Sequence, residues 1–438
     1  MILHDKQILQ IALPSIVSNI TVPLLGLVDL AIVGHLEAAS YIGAIAVGSM
    51  LFNIIYWIFG FLRMGTSGLT SQAFGQRNLP EATRLLIRSV GIGILVACCL
   101  ILFQIPIRNI AISLIQPTEE VRHWATIYFH ICIWGAPAIL GLYGLTGWYI
   151  GMQNSRIPLW IAITQNVVNI IASLCFVFIG GMKVEGIALG TLVAQYTGFF
   201  MAIGLWIRYY GKLKSYIQLQ TDTGLWNRVS MARFFQVNRD IFLRTLCLVA
   251  VTLFFTSAGA AQGEIILAVN TLLMQLFTLF SYIMDGFAYA GEALSGKYIG
   301  AKNEPAFRIT VRRLFLWGGG MTLLFTGLYA VGGTAFLQLL TDNTTVLAAA
   351  DPYFYWVLAI PIAGVAAFIW DGIFIGATAT REMLISMILA TLFFFAVYYN
   401  GHPLWGNHAL WLAFISYLSI RGITQSFLFR RITFHRFL

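Results

Sequence analysis

Long apolar segments recur from one end of this 438-residue chain to the other, and they restrict the folds open to it. A helix needs roughly 20 apolar residues to cross a bilayer. Hydrophobic residues make up 59% of the chain and charged residues 10%, against about 45–50% and about 25% in soluble proteins. This composition excludes a soluble enzyme and a disordered chain, and long apolar segments are not typical of a β-barrel. We therefore expect an all-α polytopic membrane protein.

Polar residues divide the apolar sequence into twelve predicted transmembrane helices. Several exceed 25 residues and should tilt, bend or protrude. The long polar stretch 211–236 separates six spans from six, which predicts an N-lobe at 1–210, a cytoplasmic linker at 211–236 and a C-lobe at 237–438. The spans are roughly 8–34, 42–72, 83–108, 120–147, 157–179, 185–210, 237–260, 265–297, 307–333, 348–377, 382–398 and 408–430.

Basic residues are distributed unequally between the two sides of the predicted membrane. The N-terminus and even-numbered loops hold 22 of the 26 Lys and Arg, and the odd-numbered loops hold three. That count includes Arg244 and Arg421 as residues of adjoining helix ends. The positive-inside rule then places both termini in the cytoplasm, with the protein in the inner (plasma) membrane. The net charge of +9 thus indicates topology rather than a nucleic-acid partner.

Motifs for catalysis do not occur in the sequence. It contains no Walker A, HExxH or GxSxG pattern, and its cysteines and histidines have no metal-ligand spacing. We predict that the chain is not an enzyme and holds no metal and no cofactor.

The two halves of the chain resemble each other at one constant offset, which places Ile150 on Ile375. At this offset FGQRN aligns with IGAKN, and YIGMQNSR aligns with FIGATATR. Six spans per half give both repeats the same orientation, so the prediction is two pseudo-symmetric six-helix lobes. Parallel repeats are typical of transporters with a pathway at the repeat interface. A duplicated scaffold without a pathway is the alternative.

The first span contains an acid, Asp29, about five residues and so about 8 Å from its outer end. No Lys or Arg lies nearby in sequence, and burial without a cation favours the neutral form of a carboxyl group. Such a group can load and release protons. Pro14 and Pro23 remove backbone hydrogen bonds from the same helix and permit it to bend. Alternatively, Asp29 is a helix-end residue in contact with outside water.

Four further ionisable residues lie inside predicted spans, where charge is costly and marks candidate functional positions. Asp285 and Glu292 are seven residues apart and share a helical face. Arg63 corresponds to Ala288 in the repeat, between the two acids, so we expect it to pair with one of them as a gate or as a static structural pair. Asp371 has no evident partner and is a second candidate for proton or cation handling.

Three stretches of the sequence are distinctive: IALPSIVSNITVPLLGLVDLAIVGHL in the first span, and DGFAYAGEALSGKYIGAKN and WDGIFIGATATREMLISM in the second half. The first is similar to the first helix of the multidrug and toxic compound extrusion (MATE) family, and the other two resemble the DinF-type bacterial branch of that family. The resemblance covers nearly the whole chain. The resemblance implies a cation-coupled antiporter built as a V-shaped pair of six-helix lobes.

The resemblance also implies roles for individual residues. The essential N-lobe acid of the family falls on Asp29, its cation-site residues fall on Asn169 and Thr191, and its helix-bending proline falls on Pro14. Many members carry a second acid where this chain has Ser173. Loss of one carboxylate weakens a sodium site, which favours H+ over Na+ as the coupling ion. Other polar residues of the same spans, Gln165, Asn166 and Gln195, are equally explained as interhelical hydrogen-bond partners.

We therefore expect a monomer in the lipid bilayer that exports small amphipathic or cationic organic compounds, including xenobiotics, in exchange for H+ or Na+. The first alternative is a flippase for a lipid-linked or anionic precursor. It would require several cationic residues within the membrane, and Arg63 alone is evident as one. A lipid-modifying membrane enzyme and a passive channel are further alternatives.

Overall fold

Helices form all the regular structure in the described part of the chain. The computed structural model describes residues 2–34, 39–216 and 224–437, and these ranges contain no β-strand. Some side chains within the helices also lie outside the described residues, and Pro23 is one of them. They are the side chains of residues 2, 22–27, 30, 33, 34, 39, 334 and 431–437.

Sixteen α-helices occupy these ranges, with short 3-10 or π segments between some of them. The helices are α1 (Ile2–Gly34), α2 (Ala39–Ile58), α3 (Phe61–Gly75), α4 (Leu79–Leu102), α5 (Gln104–Ile115), α6 (Glu119–Cys132), α7 (Ala136–Gly151), α8 (Arg156–Leu174), α9 (Val184–Tyr210), α10 (Arg228–Ala261), α11 (Glu264–Gly300), α12 (Glu304–Leu340), α13 (Thr344–Ala350), α14 (Phe354–Gly376), α15 (Thr380–Trp405) and α16 (Asn407–Phe437).

Eleven segments of the described chain are long and apolar enough to cross a membrane. They coincide in order with the second to twelfth predicted spans, and the 33-residue α1 coincides with the first. The predicted all-α polytopic fold is therefore confirmed. Some overlong spans contain internal breaks. The predicted span 42–72 comprises α2 and α3, and a 3-10 turn at Ile133–Gly135 separates α6 from α7.

The chain forms two compact units. One, here called the N-unit, contains residues 17–234, and the other, the C-unit, contains residues 1–16 and 235–438. The start of α1 packs within the C-unit, where the Tyr298 hydroxyl donates to Gln7 Oε1 at 2.6 Å. The predicted lobes, 1–210 and 237–438 with a linker at 211–236, differ from this division in two ways. They assign the whole first helix to the N-lobe, and they separate a linker whose residues belong almost entirely to the N-unit.

The internal repeat is present in the backbone of both units. Asn78 caps α4 by accepting from the backbone N–H of Glu81, and Asn303 caps α12 by accepting from that of Ala306, both at 3.1 Å. The residues before these caps, Arg77 and Lys302, have φ values of 57° and 52°. Positive φ is uncommon in non-glycine residues. Its recurrence at equivalent positions of the repeat shows that both halves make the same turn.

Two equivalent glycines bring helices into close contact. Gly147 of α7 lies against the backbone carbonyl of Arg63 in α3, and Gly372 of α14 lies against that of Ala288 in α11. A side chain at either position would overlap the facing backbone. Small residues permit this kind of close helix packing in membrane proteins. Each unit therefore contains the same glycine contact at the same place in the repeat.

Candidate functional site

Asp29 is buried in the N-unit, with 6% of its surface exposed. Among the described side chains, its Oδ1 has no hydrogen-bond partner. Ile32, three residues later on α1, belongs to a buried apolar cluster that includes Tyr128 and Cys132 of α6, and Val28, the residue before Asp29, packs against that cluster. This burial favours a carboxyl group held in apolar surroundings over one in contact with outside water.

Asn169 and Thr191, predicted from different spans, meet in the structure. Asn169 Nδ2 in α8 donates to Thr191 Oγ1 in α9 at 3.1 Å. Asn169 is fully buried, and its Oδ1 has no hydrogen-bond partner among the described residues. Donation from Nδ2 to the Thr191 hydroxyl fixes the amide plane and so the direction in which Oδ1 points.

Ser173, one turn after Asn169 on α8, is also fully buried and its hydroxyl oxygen has no partner in the described part of the chain. Gly190 of α9 lies directly against it, so the two helices are closely packed there. Asp29, Asn169 and Ser173 thus give the N-unit three buried oxygens that accept no hydrogen bond from the side chains and backbone that the structure describes. Oxygen ligands of this kind suit a hard cation or a proton. Only one of the three comes from a carboxylate.

The first helix contains both predicted bending positions. It is continuous from Ile2 to Gly34, so Pro14 and Pro23 lie inside it, and bending at either residue stays a prediction. Asn166 Nδ2 of α8 donates to the carbonyl oxygen of Thr21 in α1 at 3.3 Å. This hydrogen bond joins α1 to α8 within the N-unit, close to Asn169.

Asp371 has close partners, which corrects the expectation that it has none. In the C-unit its Oδ2 accepts from Arg244 Nη2 of α10 and, at 2.6 Å, from Arg421 Nη2 of α16. Its Oδ1 accepts from Gln425 Nε2 at 2.7 Å. All four residues are at most 7% exposed. An acid held by two guanidinium groups is a poor proton acceptor, because binding a proton would break both ion pairs.

The positions of Arg244 and Arg421 differ from the distribution of basic residues predicted from sequence, which counted both with the loops. Arg244 lies near the middle of α10, and Arg421 lies near the middle of α16. Both are buried inside membrane-spanning helices rather than in loops. Apolar neighbours in LRTLCLV and SIRGI could have indicated this, as could the i, i+4 spacing of Arg421 and Gln425 on one helical face.

The predicted partners Arg63, Asp285 and Glu292 lie in different units. Arg63 is in α3 of the N-unit, and the two acids are in α11 of the C-unit. Their pairing stays a prediction. It is tested by the charge reversal Arg63→Asp, which should be rescued by Asp285→Arg or Glu292→Arg if the pair forms.

Comparison with known proteins gives a consistent result across the length of the chain. The family model MatE matches residues 14–175 and 241–399. DNA damage-inducible protein F of Escherichia coli (strain K12) is 37% identical over 427 residues, which cover 98% of this chain and 92% of that protein. Probable multidrug resistance protein NorM of Acinetobacter baylyi is 24% identical over 319 residues, covering 69% of this chain and 68% of the relative.

Solved structures with the same fold include one described as the outward-facing conformation of a multidrug resistance MATE family transporter of the MOP superfamily. It matches with a TM-score of 0.89 at 17% identity and covers 98% of this chain and 96% of that one. A MATE structure in the bent conformation matches with a TM-score of 0.88 at 18% identity, covering 98% and 95% of the two chains.

Proposed function

The chain belongs to the MatE family, and from this premise we propose that it is a cation-coupled antiporter exporting amphipathic, often cationic organic compounds. Members of the family are membrane transporters for multidrug and toxin efflux, not enzymes. The observation that carries the proposal is the buried Asp29 carboxyl group, whose Oδ1 lacks a hydrogen-bond partner among the described side chains.

Protonation of Asp29 supplies the coupling step. An ionised carboxylate in an apolar cluster is unfavourable, and proton binding removes its charge. The charge of α1 therefore differs between the loaded and the released state, and a coupling ion must bind one conformation better than the other. Bending of α1 at Pro14 or Pro23 is the movement that we assign to this change.

A proton fits this site better than Na+. A sodium ion would need several oxygen ligands, and Asn169 Oδ1 and the Ser173 hydroxyl could contribute two of them. They are neutral and bind a cation less strongly than a second carboxylate would, whereas a proton needs only the Asp29 carboxylate. Thr191 holds the Asn169 amide in place and has a positioning role.

Efflux of ethidium from proteoliposomes under an imposed pH gradient or an imposed Na+ gradient tests the proposal. We expect efflux to follow the pH gradient, and Asp29→Asn to abolish it while the purified protein remains folded. Asp351→Asn, a change at an exposed acid before α14, serves as the matched control and should retain efflux. Full gradient-driven efflux by Asp29→Asn would remove the basis of the proposal.

We also propose that the protein is a monomer in the inner membrane with both termini in the cytoplasm. Arg88, Arg244 and Arg421 are buried and are left out of the loop count, but most of the 22 basic residues belong to the N-terminus and the predicted even-numbered loops, which supports this orientation. A C-terminal green fluorescent protein fusion should fluoresce, whereas an alkaline phosphatase fusion at the same end should be inactive. The reverse pattern would contradict the orientation.

Transport of an anionic or lipid-linked precursor is the second candidate function. It requires several cationic residues within the membrane, and the C-unit supplies Arg244 and Arg421. Flipping of a fluorescent lipid phosphate across proteoliposomes in the absence of any ion gradient would support this function over antiport.

A further inference from the structure

The buried cluster in the C-unit has more positive than negative charge. Arg244 and Arg421 share one oxygen of Asp371, so the three groups carry a formal net charge of +1. Burying an ion costs several kcal/mol in lost hydration, and without a partner of opposite charge this cost is not offset. A second anionic group beside the guanidinium groups would offset this cost.

The described part of the chain supplies no second carboxylate to either arginine. Within the described ranges, each guanidinium forms its ion pair with Asp371 and with no other carboxylate. The next acid on α10, Asp240, is one turn earlier, and it accepts instead from Arg239 at 2.8 Å and from the Thr380 hydroxyl at 3.2 Å. Among the described residues, the cluster therefore has no second carboxylate within ion-pair distance of its two guanidinium groups.

Hydrogen-bond donors at the cluster also lack acceptors. The Nε groups of Arg244 and Arg421 are buried and have no hydrogen-bond partner among the described residues. Buried polar groups in native structures are nearly always paired, so such exceptions require an explanation. A planar guanidinium with unused N–H groups is suited to bind a carboxylate or a phosphate. Two such groups meet at the same carboxylate in the C-unit.

We propose that Arg244 and Arg421 form an anion-binding subsite that takes the acidic group of an amphipathic organic substrate. Asp371 holds the two guanidinium groups together and competes with the substrate for them. The buried ring of Tyr417 lies 5.3 Å from the Arg421 guanidinium, and its hydroxyl donates to Met387 Sδ at 3.0 Å. This inference rests on the proposed export function and extends its substrates from cationic to acidic amphipaths.

Binding of a fluorescent fatty acid tests the subsite directly. The probe is 11-(dansylamino)undecanoate, compared with its methyl ester, on the full-length protein in phosphatidylcholine nanodiscs without an ion gradient. We expect the acid to bind about tenfold or more tightly than the ester, since hydrogen bonds to charged groups are among the stronger ones. Arg421→Gln should remove most of this preference. Arg228→Gln, at the exposed start of α10, should leave it unchanged.

Asp371→Asn separates a binding role from a structural one. Loss of the competing carboxylate should strengthen binding of the acid, whereas a purely structural ion cluster would be weakened by the change and bind no better. Equal binding of acid and ester, an unchanged preference in Arg421→Gln, or weaker binding in Asp371→Asn would each overturn the inference. If Arg421→Gln does not fold, two measurements still test the subsite: the ratio of the affinities of the unaltered protein for the acid and the ester, and the binding of the acid by Asp371→Asn.

An anionic lipid headgroup has the same chemistry as a free acidic amphipath. We expect phosphatidylglycerol, added to the nanodiscs, not to displace the probe, and displacement would overturn the assignment to a free substrate. The binding assay uses no gradient and the ethidium assay uses no acidic probe. The two assays therefore test the two proposals separately. The anion-binding subsite can be disproved while proton-coupled efflux is upheld, and the reverse is also possible.

Discussion

Asn169 is held at one end of its side chain and unpaired at the other. Its Nδ2 donates to Thr191 at 3.1 Å, and its Oδ1 has no partner among the described residues. The Thr191 hydroxyl therefore determines where a buried acceptor points, although it is itself only partly buried. If this hydroxyl positions Asn169, transport should be impaired when the hydroxyl is removed. Transport should persist when threonine is replaced by serine, which is smaller but keeps the hydroxyl.

Thr191→Val should both destabilise the protein and weaken proton-coupled efflux. The change leaves the buried Asn169 amide without its acceptor, at a cost of about 1–3 kcal/mol in the free energy of unfolding. Thermal unfolding of the purified protein and efflux from proteoliposomes measure the two effects.

Two variants complete this test. Thr191→Ser should retain efflux, because serine keeps the hydroxyl. Thr197→Val removes a hydroxyl from the same helix that donates to the carbonyl oxygen of Val193, and it should have little effect. Unchanged efflux in Thr191→Val would argue against a positioning role.

Asp29 could be found in the sequence because an acid within an apolar span is conspicuous, whereas Asn169 and Thr191 were singled out from other polar residues of their spans by the resemblance to the MATE family. The surroundings of Asp371 could not be predicted. Its arginine partners are distant in sequence, on two other helices, and positive charge near the end of a span is typical of a loop. Only packing of α10, α14 and α16 in three dimensions shows that these arginines face an acid.

At the scale of elements, Arg88 of α4 binds the segment that leads into α10. Its Nε donates to the Leu225 carbonyl oxygen at 2.7 Å and its Nη2 donates to that of Gly224 at 2.6 Å. Glu81 lies 2.6 Å from Nη1 and balances the charge. Arg88 is buried, so these contacts are made out of water and attach the segment firmly to the N-unit.

Arg88→Gln should loosen the start of α10. Glutamine cannot make all three contacts at once, so the segment should open more often. Trypsin should then cleave after Arg228 faster than in the unaltered protein, by about tenfold or more for a loss of about 1.5 kcal/mol or more.

Arg156→Gln at the exposed start of α8 is the control and should leave the cleavage rate unchanged. Equal rates in the Arg88 variant and the control would mean that the backbone contacts of Arg88 contribute little to holding this segment.

The sequence predicted the order of the elements, because polar stretches separate the apolar segments. It did not predict their ends closely: the spans predicted from residues 83 and 307 begin at Leu79 and Glu304, directly after the capping residues Asn78 and Asn303. It did not predict the breaks inside the long spans, as at Gly60 between α2 and α3. Gly60 itself has an αR conformation, so no local strain marks this break. The contact between Arg88 and residues 224 and 225 was equally hidden, since it involves backbone carbonyl groups that any residue possesses.

Across the whole molecule the repeat extends beyond sequence identity to backbone geometry. Gln153 and Thr378, which are equivalent in the repeat and different in chemistry, have φ values of 65° and 51° just after α7 and α14. The family model likewise matches the two halves separately, at 14–175 and 241–399. Equivalent positions should therefore respond alike to mutation even where their neighbours in sequence differ.

Gly147→Ala and Gly372→Ala provide that test. Each adds a methyl group that would overlap the carbonyl of Arg63 or Ala288, so the facing helices must separate. Overpacking of this kind costs about 1–3 kcal/mol, and we expect similar decreases in melting temperature for both variants.

Gly91→Ala in α4 and Gly320→Ala in α12 are the controls, because an added methyl group there meets nothing within 4 Å. Alanine favours a helix over glycine by about 0.8–1.0 kcal/mol, so these two variants should be as stable as the unaltered protein or more so. A large decrease in melting temperature for Gly147→Ala with none for Gly372→Ala would contradict this expectation. It would show that the two halves have the same backbone path but that their closest helix contacts differ in energy.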